Sequence, residues 1–458
     1  MKLRAVCFLL LTLVGAAQES WDELQVYPLR SSQYSLVGHW WTPQLAEPRQ
    51  GSVVVSGGRI ETLTMNSTEG TETRGLILPG LIDLHDHIAY AYAPRFAGYL
   101  WPEEQTFANR YEWQELTGMF HEKHSRLARP AGALFYLFGE IRELVGGTTS
   151  VANHVSGSAY KALARNLDGD VKNHGLPLQI ASIVFFFERD ELQGNPSRFI
   201  VSPDVLRRLE ESDLALVHLA EGRRDDGLTR EEIESFLAWA EEHPELSRKI
   251  VPIHLVGLVD EDFARLKNLG IHRAVWSPSS NMALYGQTMD VGAALRNGFI
   301  VALGTDWYPS GSDSLFDELR LAKQLVREGL ISEIDPDCLN SMVLESPSRI
   351  LGGQLGTLIP GTPADLIVIP WKDSLEASLE QADVDSMMLV AVSGQPLFGT
   401  KHLMKELLSE QFPSPQRPAE FAYGFSLATV WNEVRSRFPE ATPPEPLGER
   451  LYPRLQRP

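Results

Sequence analysis

Short apolar runs alternate with stretches of helical spacing from residue 79 to about 351. The runs fall at 81–84, 148–152, 178–184, 214–217, 250–253, 273–276 and 299–305. Such alternation predicts βα units and a parallel sheet, hence an α/β fold. An eighth strand is expected between 185 and 213, where Phe199-Ile200-Val201 is the candidate. On that count residues 79–351 form a TIM-like (β/α)8 barrel. Shorter β signals frame this region at 18–78 and 352–400, and a helical, then Pro-rich, stretch fills 401–458.

The first seventeen residues have a different texture. A basic start, Met1-Lys2-Leu3-Arg4, precedes the ten apolar residues 5–14 and the small residues Gly15-Ala16-Ala17. That order predicts a secretory signal peptide, cut near Ala16 or Ala17, and an exported protein, periplasmic or secreted. No later stretch reaches the eighteen apolar residues of a membrane span, so the mature chain is expected to be soluble.

Charge narrows the partners. Sixty acidic against 41 basic residues give a net charge of -19, which repels phosphate backbones and argues against nucleic acid. Two cysteines, one of them in the leader, leave no disulfide scaffold. A small-molecule substrate is expected, and homo-oligomerisation is compatible with the sequence.

Candidate chemistry sits where the apolar runs stop. His85, His87, His218, His254 and Asp306 each close one of them. In a (β/α)8 barrel the strand C-termini make the active-site face. Imidazole and carboxylate groups gathered there suit a divalent transition metal, zinc first and iron as the alternative. Side chains at i and i+2 of a strand share a face, so His85 and His87 can grip one ion while Asp86 points away. His154 also ends a strand and is a candidate for substrate contact.

The segments around these residues resemble the amidohydrolase superfamily. Residues 78–87 (LPGLIDLHDH) look like its opening motif, and 146–150 (GGTTS) like its second-strand segment. His218-Leu219-Ala220-Glu221 resembles the His-x-x-Glu signature of its cytosine-deaminase-like and chlorohydrolase-like branch. Residues 277–284 (SPSSNMAL), Gly304-Thr305-Asp306 with Glu318, and 356–366 resemble later segments of that branch. The resemblance implies the barrel plus a small β-sandwich domain built from segments on either side of it. It implies His85, His87, His218 and Asp306 as ligands of one metal, His254 beside the reacting water, and Glu221 as proton shuttle. Asn281 and Trp307 are expected at the substrate. Two-metal relatives use a bridging lysine at the fourth strand, and no Lys lies between Lys172 and Lys249.

The expected activity is hydrolysis of a non-peptide C–N bond, deaminating a heterocyclic amine or cyclic amidine with water activated by the metal. The rivals are an amidohydrolase that opens a cyclic or linear amide, and a non-catalytic barrel kept as a binding protein. Residues 88–125 carry nine aromatic side chains and are expected to be a substrate lid or a packed excursion.

Overall fold

The apolar runs become parallel strands, several buried along their whole length. The structure, a computed structural model, describes residues 29–152, 163–168, 175–189, 199–408, 419–421 and 436. The leader expected at 1–17 and His154 lie outside the described residues. Leu214–Leu219 and Ile250–His254 are buried at every position. A strand covered on both faces has no polar side to alternate, which is why each reads as a continuous apolar run.

These strands fall in two parallel sheets. Three strands, Leu81–Asp83, Thr148–Val151 and Arg165–Asn166, pair in that order. Five more pair in the order Ile300–Leu303, Arg273–Trp276, Ile250–His254, Leu214–Leu219, Ile180–Ile183. The two sheets meet at their strand ends. The Asp306 N–H donates to the His85 carbonyl at 2.8 Å. The Thr305 N–H and hydroxyl donate to Asp83 Oδ2 at 3.2 and 2.6 Å. Gly304 is required by this approach, because a Cβ there would lie 2.7 Å from His85 Cβ.

One strand expectation is corrected. Phe199–Val201 pairs antiparallel with Phe187–Arg189 and stands apart from both parallel sheets. The remaining parallel strand is the two-residue Arg165–Asn166, which has no apolar run to announce it.

The flanking segments join in one hydrogen-bonded sheet. Thr71–Pro79 pairs antiparallel with Leu366–Pro370 and makes one eight-stranded sheet of the two halves. That sheet extends past residue 400. Helix Lys401–Leu407 buries Leu403, Met404 and Leu407 in its core, and Ala419–Phe421 adds an edge strand. Arg165 ties it to the parallel strands: its guanidinium pairs with Asp365 and donates to Ser393 Oγ at 2.6 Å.

The aromatic region after His87 becomes an irregular excursion that leads into helix Arg110–Val145. Asn109 caps that helix by accepting the Tyr111 N–H at 3.1 Å. Among the described residues no helix is long and apolar enough to cross a membrane.

Candidate active site

Five predicted side chains converge at the ends of the parallel strands. Ligand atoms of His85, His87 and Asp306 lie within 4.8 Å of one another, as do those of His85, His218 and His254. Asp306 Oδ1 is 3.3 Å from His85 Nε2 and 3.6 Å from His87 Nε2, so both histidines of the His-x-His pair face one carboxylate. Asp86 turns the other way, its Oδ1 accepting the His87 N–H at 2.6 Å. All the converging groups are buried except His87, whose side chain is 14% exposed.

The backbone is bent to deliver them. Ala220, His254, Leu255 and Asp306 all have positive φ, at 52°, 74°, 51° and 58°. A non-glycine residue in this left-handed region carries backbone strain that the surrounding structure offsets.

The donor set fits a metal ion. Burial holds His87 down to about 3 and His254 down to about 4, so both imidazoles are neutral, and His87 keeps a lone pair for a metal. Asp306 is pushed well above the usual carboxylate range, first by burial and then by the Glu221 charge. A buried acid surrounded by neutral imidazoles is unfavourable until a cation joins it. Imidazole nitrogen with one carboxylate is the set that suits a divalent transition metal.

Several residues not predicted for this site hold its members in place. His85 Nδ1 meets Ser277 Oγ at 2.8 Å. Asp83 accepts the His85 N–H at 2.8 Å, and burial followed by the Asp86 charge pushes it up to about 7. Asn281, expected at the substrate, is fully buried with its amide against His254. Its orientation follows from a fixed chain of donors. The Trp276 indole donates to Thr288 Oγ1 at 2.6 Å. Thr288 then gives its hydrogen to Asn281 Oδ1 at 3.3 Å. Asn281 Nδ2 is therefore left to donate to His254 Nδ1 at 3.0 Å. The His254 hydrogen accordingly sits on Nε2, which faces His218 Nδ1 at 3.2 Å and Glu221 Oε2 at 3.7 Å.

Trp307 follows Asp306 and donates its N–H to Asp306 Oδ1 at 2.6 Å. Its ring lies 5.2 Å from Tyr90, 5.1 Å from Phe96 and 5.2 Å from Trp113. The aromatic excursion is therefore packed onto the site. Its end pairs with the loop that carries Glu221: Asn109 bridges Gly222, and the Arg110 N–H donates to the Glu221 carbonyl at 3.0 Å.

Comparison with known proteins agrees with this geometry. Residues 204–396 match the amidohydrolase family. Over that stretch, less than half of the chain, the sequence is similar to this family. It is 24% identical over 420 residues to a 5'-deoxyadenosine deaminase of Methanothermobacter thermautotrophicus, an alignment covering 80% of this chain and 92% of that enzyme. A 5-methylthioadenosine/S-adenosylhomocysteine deaminase of Acetivibrio thermocellus is 30% identical over 157 residues, which span only 31% of this chain and 36% of that enzyme. Among solved structures, a zinc-bound adenosine deaminase from Xanthomonas campestris superposes with a TM-score of 0.62 at 16% identity, over 88% of this chain and 97% of that one. At that identity the superposition speaks for a shared TIM-barrel-like fold.

Proposed function

We propose that this protein is an amidohydrolase, a hydrolytic deaminase of heterocyclic amines, working with one divalent ion, zinc first. The two parallel sheets are then the two arcs of one (β/α)8 barrel. His85, His87, His218 and Asp306 hold the ion. The observation that carries the reading is the convergence of these four with His254 and Glu221 in one buried cluster. The curated relatives named as deaminases of adenine-bearing nucleosides support the choice of substrate class.

Bound there, the ion supplies a Lewis acid and lowers the pKa of water toward about 7. The rest falls to side chains. His254 presents its Nε2 hydrogen toward the site and can donate it to oxygen charge that develops on the attacked carbon. Glu221 Oε2, 3.4 Å from His218 Nδ1 and 3.7 Å from His254 Nε2, can take a proton and return it to the leaving nitrogen. Burial of these groups excludes bulk water, so charges that form during the reaction are stabilised by fixed dipoles.

Residues 1–17 support a further reading, that the enzyme acts after export. The test of the activity is ammonia release by zinc-loaded protein. The panel is 5'-deoxyadenosine, 5'-methylthioadenosine, S-adenosylhomocysteine, free aminated bases and cyclic amides. Ammonia from the amines, abolished by metal removal, is expected. Ring opening of a cyclic amide without ammonia release from any amine would replace this reading with the amide-hydrolysing one.

A further inference from the structure

Glu221 is held more tightly than a carboxylate that only needs to swing between two positions. Its side chain is 2% exposed, and its two oxygens have different surroundings. Oε2 faces the site, near His218 Nδ1 and His254 Nε2, with Arg110 Nη1 at 3.4 Å. Oε1 faces away and accepts the Tyr285 hydroxyl at 2.8 Å. The Tyr285 hydroxyl in turn accepts the Trp113 indole N–H at 2.8 Å.

The direction of this chain is fixed by chemistry. An indole nitrogen can only donate. Trp113 therefore occupies an acceptor site of the phenol oxygen and leaves the phenolic hydrogen directed at Glu221. Tyr285 is 1% exposed and Trp113 9%, so water does not compete with either bond. The two come from elements far apart in sequence. Tyr285 ends helix Pro278–Tyr285, which also carries Asn281, and Trp113 lies in the first turn of helix Arg110–Val145.

We propose that Tyr285 is a positioning residue for Glu221, oriented by Trp113, so that Oε1 is tied down and Oε2 alone works on the reacting side. This rests on Glu221 being the proton carrier of the proposed reaction. It goes further, because it gives the two oxygens different tasks. It also makes the aromatic excursion part of the machinery: Trp113 touches Trp307 on one side and orients Tyr285 on the other.

The test uses full-length, zinc-loaded protein with Tyr285→Phe, Trp113→Phe, Glu221→Gln and the double variant Tyr285→Phe/Glu221→Gln. Losing one hydrogen bond to a charged group corresponds to about a 10- to 100-fold drop in kcat. Tyr285→Phe should show that drop with KM nearly unchanged and metal content intact. Trp113→Phe should show a smaller drop of the same kind. In the Glu221→Gln background, Tyr285→Phe should cost nothing further. An equal loss in both backgrounds, or a loss confined to KM, would overturn the proposal. Nearly full turnover by metal-loaded Glu221→Gln would instead overturn the reading of Glu221 itself. A second measurement needs no substrate. In protein carrying 15N-tryptophan, the Trp113 indole signal, assigned by its absence in Trp113→Phe, should move upfield and exchange faster in Tyr285→Phe. A signal that stays in place sinks the hydrogen-bond chain whatever the substrate.

Discussion

Replacing Glu318 by Gln should make the protein less sensitive to alkaline pH, by an amount that grows through a defined window. Glu318 lies in helix Leu315–Arg327, is fully buried, and accepts the Ser279 N–H on Oε2 at 3.1 Å. It thereby seats the start of the helix that carries Asn281 and Tyr285. Burial pushes its carboxyl up to about 8. The folded chain therefore keeps the proton between about pH 4.5 and 8, while the unfolded chain releases it. Stability from this group is complete below the ordinary glutamate pKa of about 4.5 and is lost as pH rises toward 8. Each unit corresponds to about 1.4 kcal/mol, so roughly three and a half units give a ceiling of about 5 kcal/mol. Glutamine has the same shape and never ionises. The gap in Tm between Glu318→Gln and the parent should widen in favour of the variant from pH 5 to pH 8.5, by a few degrees for a chain of this length. Asp83 and Asp313, each pushed up to about 7 chiefly by burial, add slopes of the same sign. Those slopes are common to both proteins and cancel in the difference. Thermal scans at fixed rate and fixed zinc excess measure it. A gap that is constant with pH, or that narrows as pH rises, refutes the reasoning.

Further outcomes are expected. His85→Ala and His218→Ala should each lower zinc from about one ion per chain toward none by elemental analysis, because each removes a donor; two ions in the parent would overturn the one-metal assignment. Asp306→Asn should lose metal and turnover together, whereas Glu221→Gln should keep its metal and lose about 10²-fold or more in turnover. Gly222→Ala should destabilise by about 1–3 kcal/mol and depress kcat. Its Cβ would fall 2.2 Å from Thr229 Oγ1 and 3.0 Å from the Ala108 carbonyl oxygen, prising the excursion off the Glu221 loop. Denaturant titration and turnover of that variant check both effects. N-terminal sequencing of exported protein should begin near Ala17 or Gln18, and an intact Met1 on the active protein would refute cleavage.

How far the site could be read from the sequence depended on the range of the forces involved. A strand covered on both faces needs apolar residues in succession, so most of the parallel strands stood out, and the residues at or just past their ends are those that converge in the buried His/Asp cluster. His85 and His87 do face one carboxylate, but the strand ends at Asp83, so the turn after it and not the pleat sets their shared direction. Local pattern failed where the determining partner was distant. Arg165–Asn166 is a strand because Thr148–Val151 lies beside it, and two polar residues advertise nothing. Phe199–Val201 is apolar, but an apolar run does not state which neighbour it pairs with.

The same limit explains why the donors were legible and their orientations were not. Trp113 and Tyr285 are 172 positions apart, and Tyr285 and Glu221 are 64 apart. In the sequence Tyr285 is one more large residue after Ala283-Leu284, and Trp113 one aromatic among nine. Only folding brings a donor-only indole against a phenol and that phenol against a carboxylate. The chain from Trp276 through Thr288 and Asn281 to His254 has the same form, with an indole at its head. In both, a group that can only donate removes an ambiguity further along: which nitrogen of His254 keeps its hydrogen, and where the Tyr285 hydrogen points. A metal-binding motif needs only suitable side chains at the right spacing. A proton-transfer site also needs each hydrogen in a known place, and here contacts between residues far apart in the chain fix the hydrogens of Tyr285, Asn281 and His254.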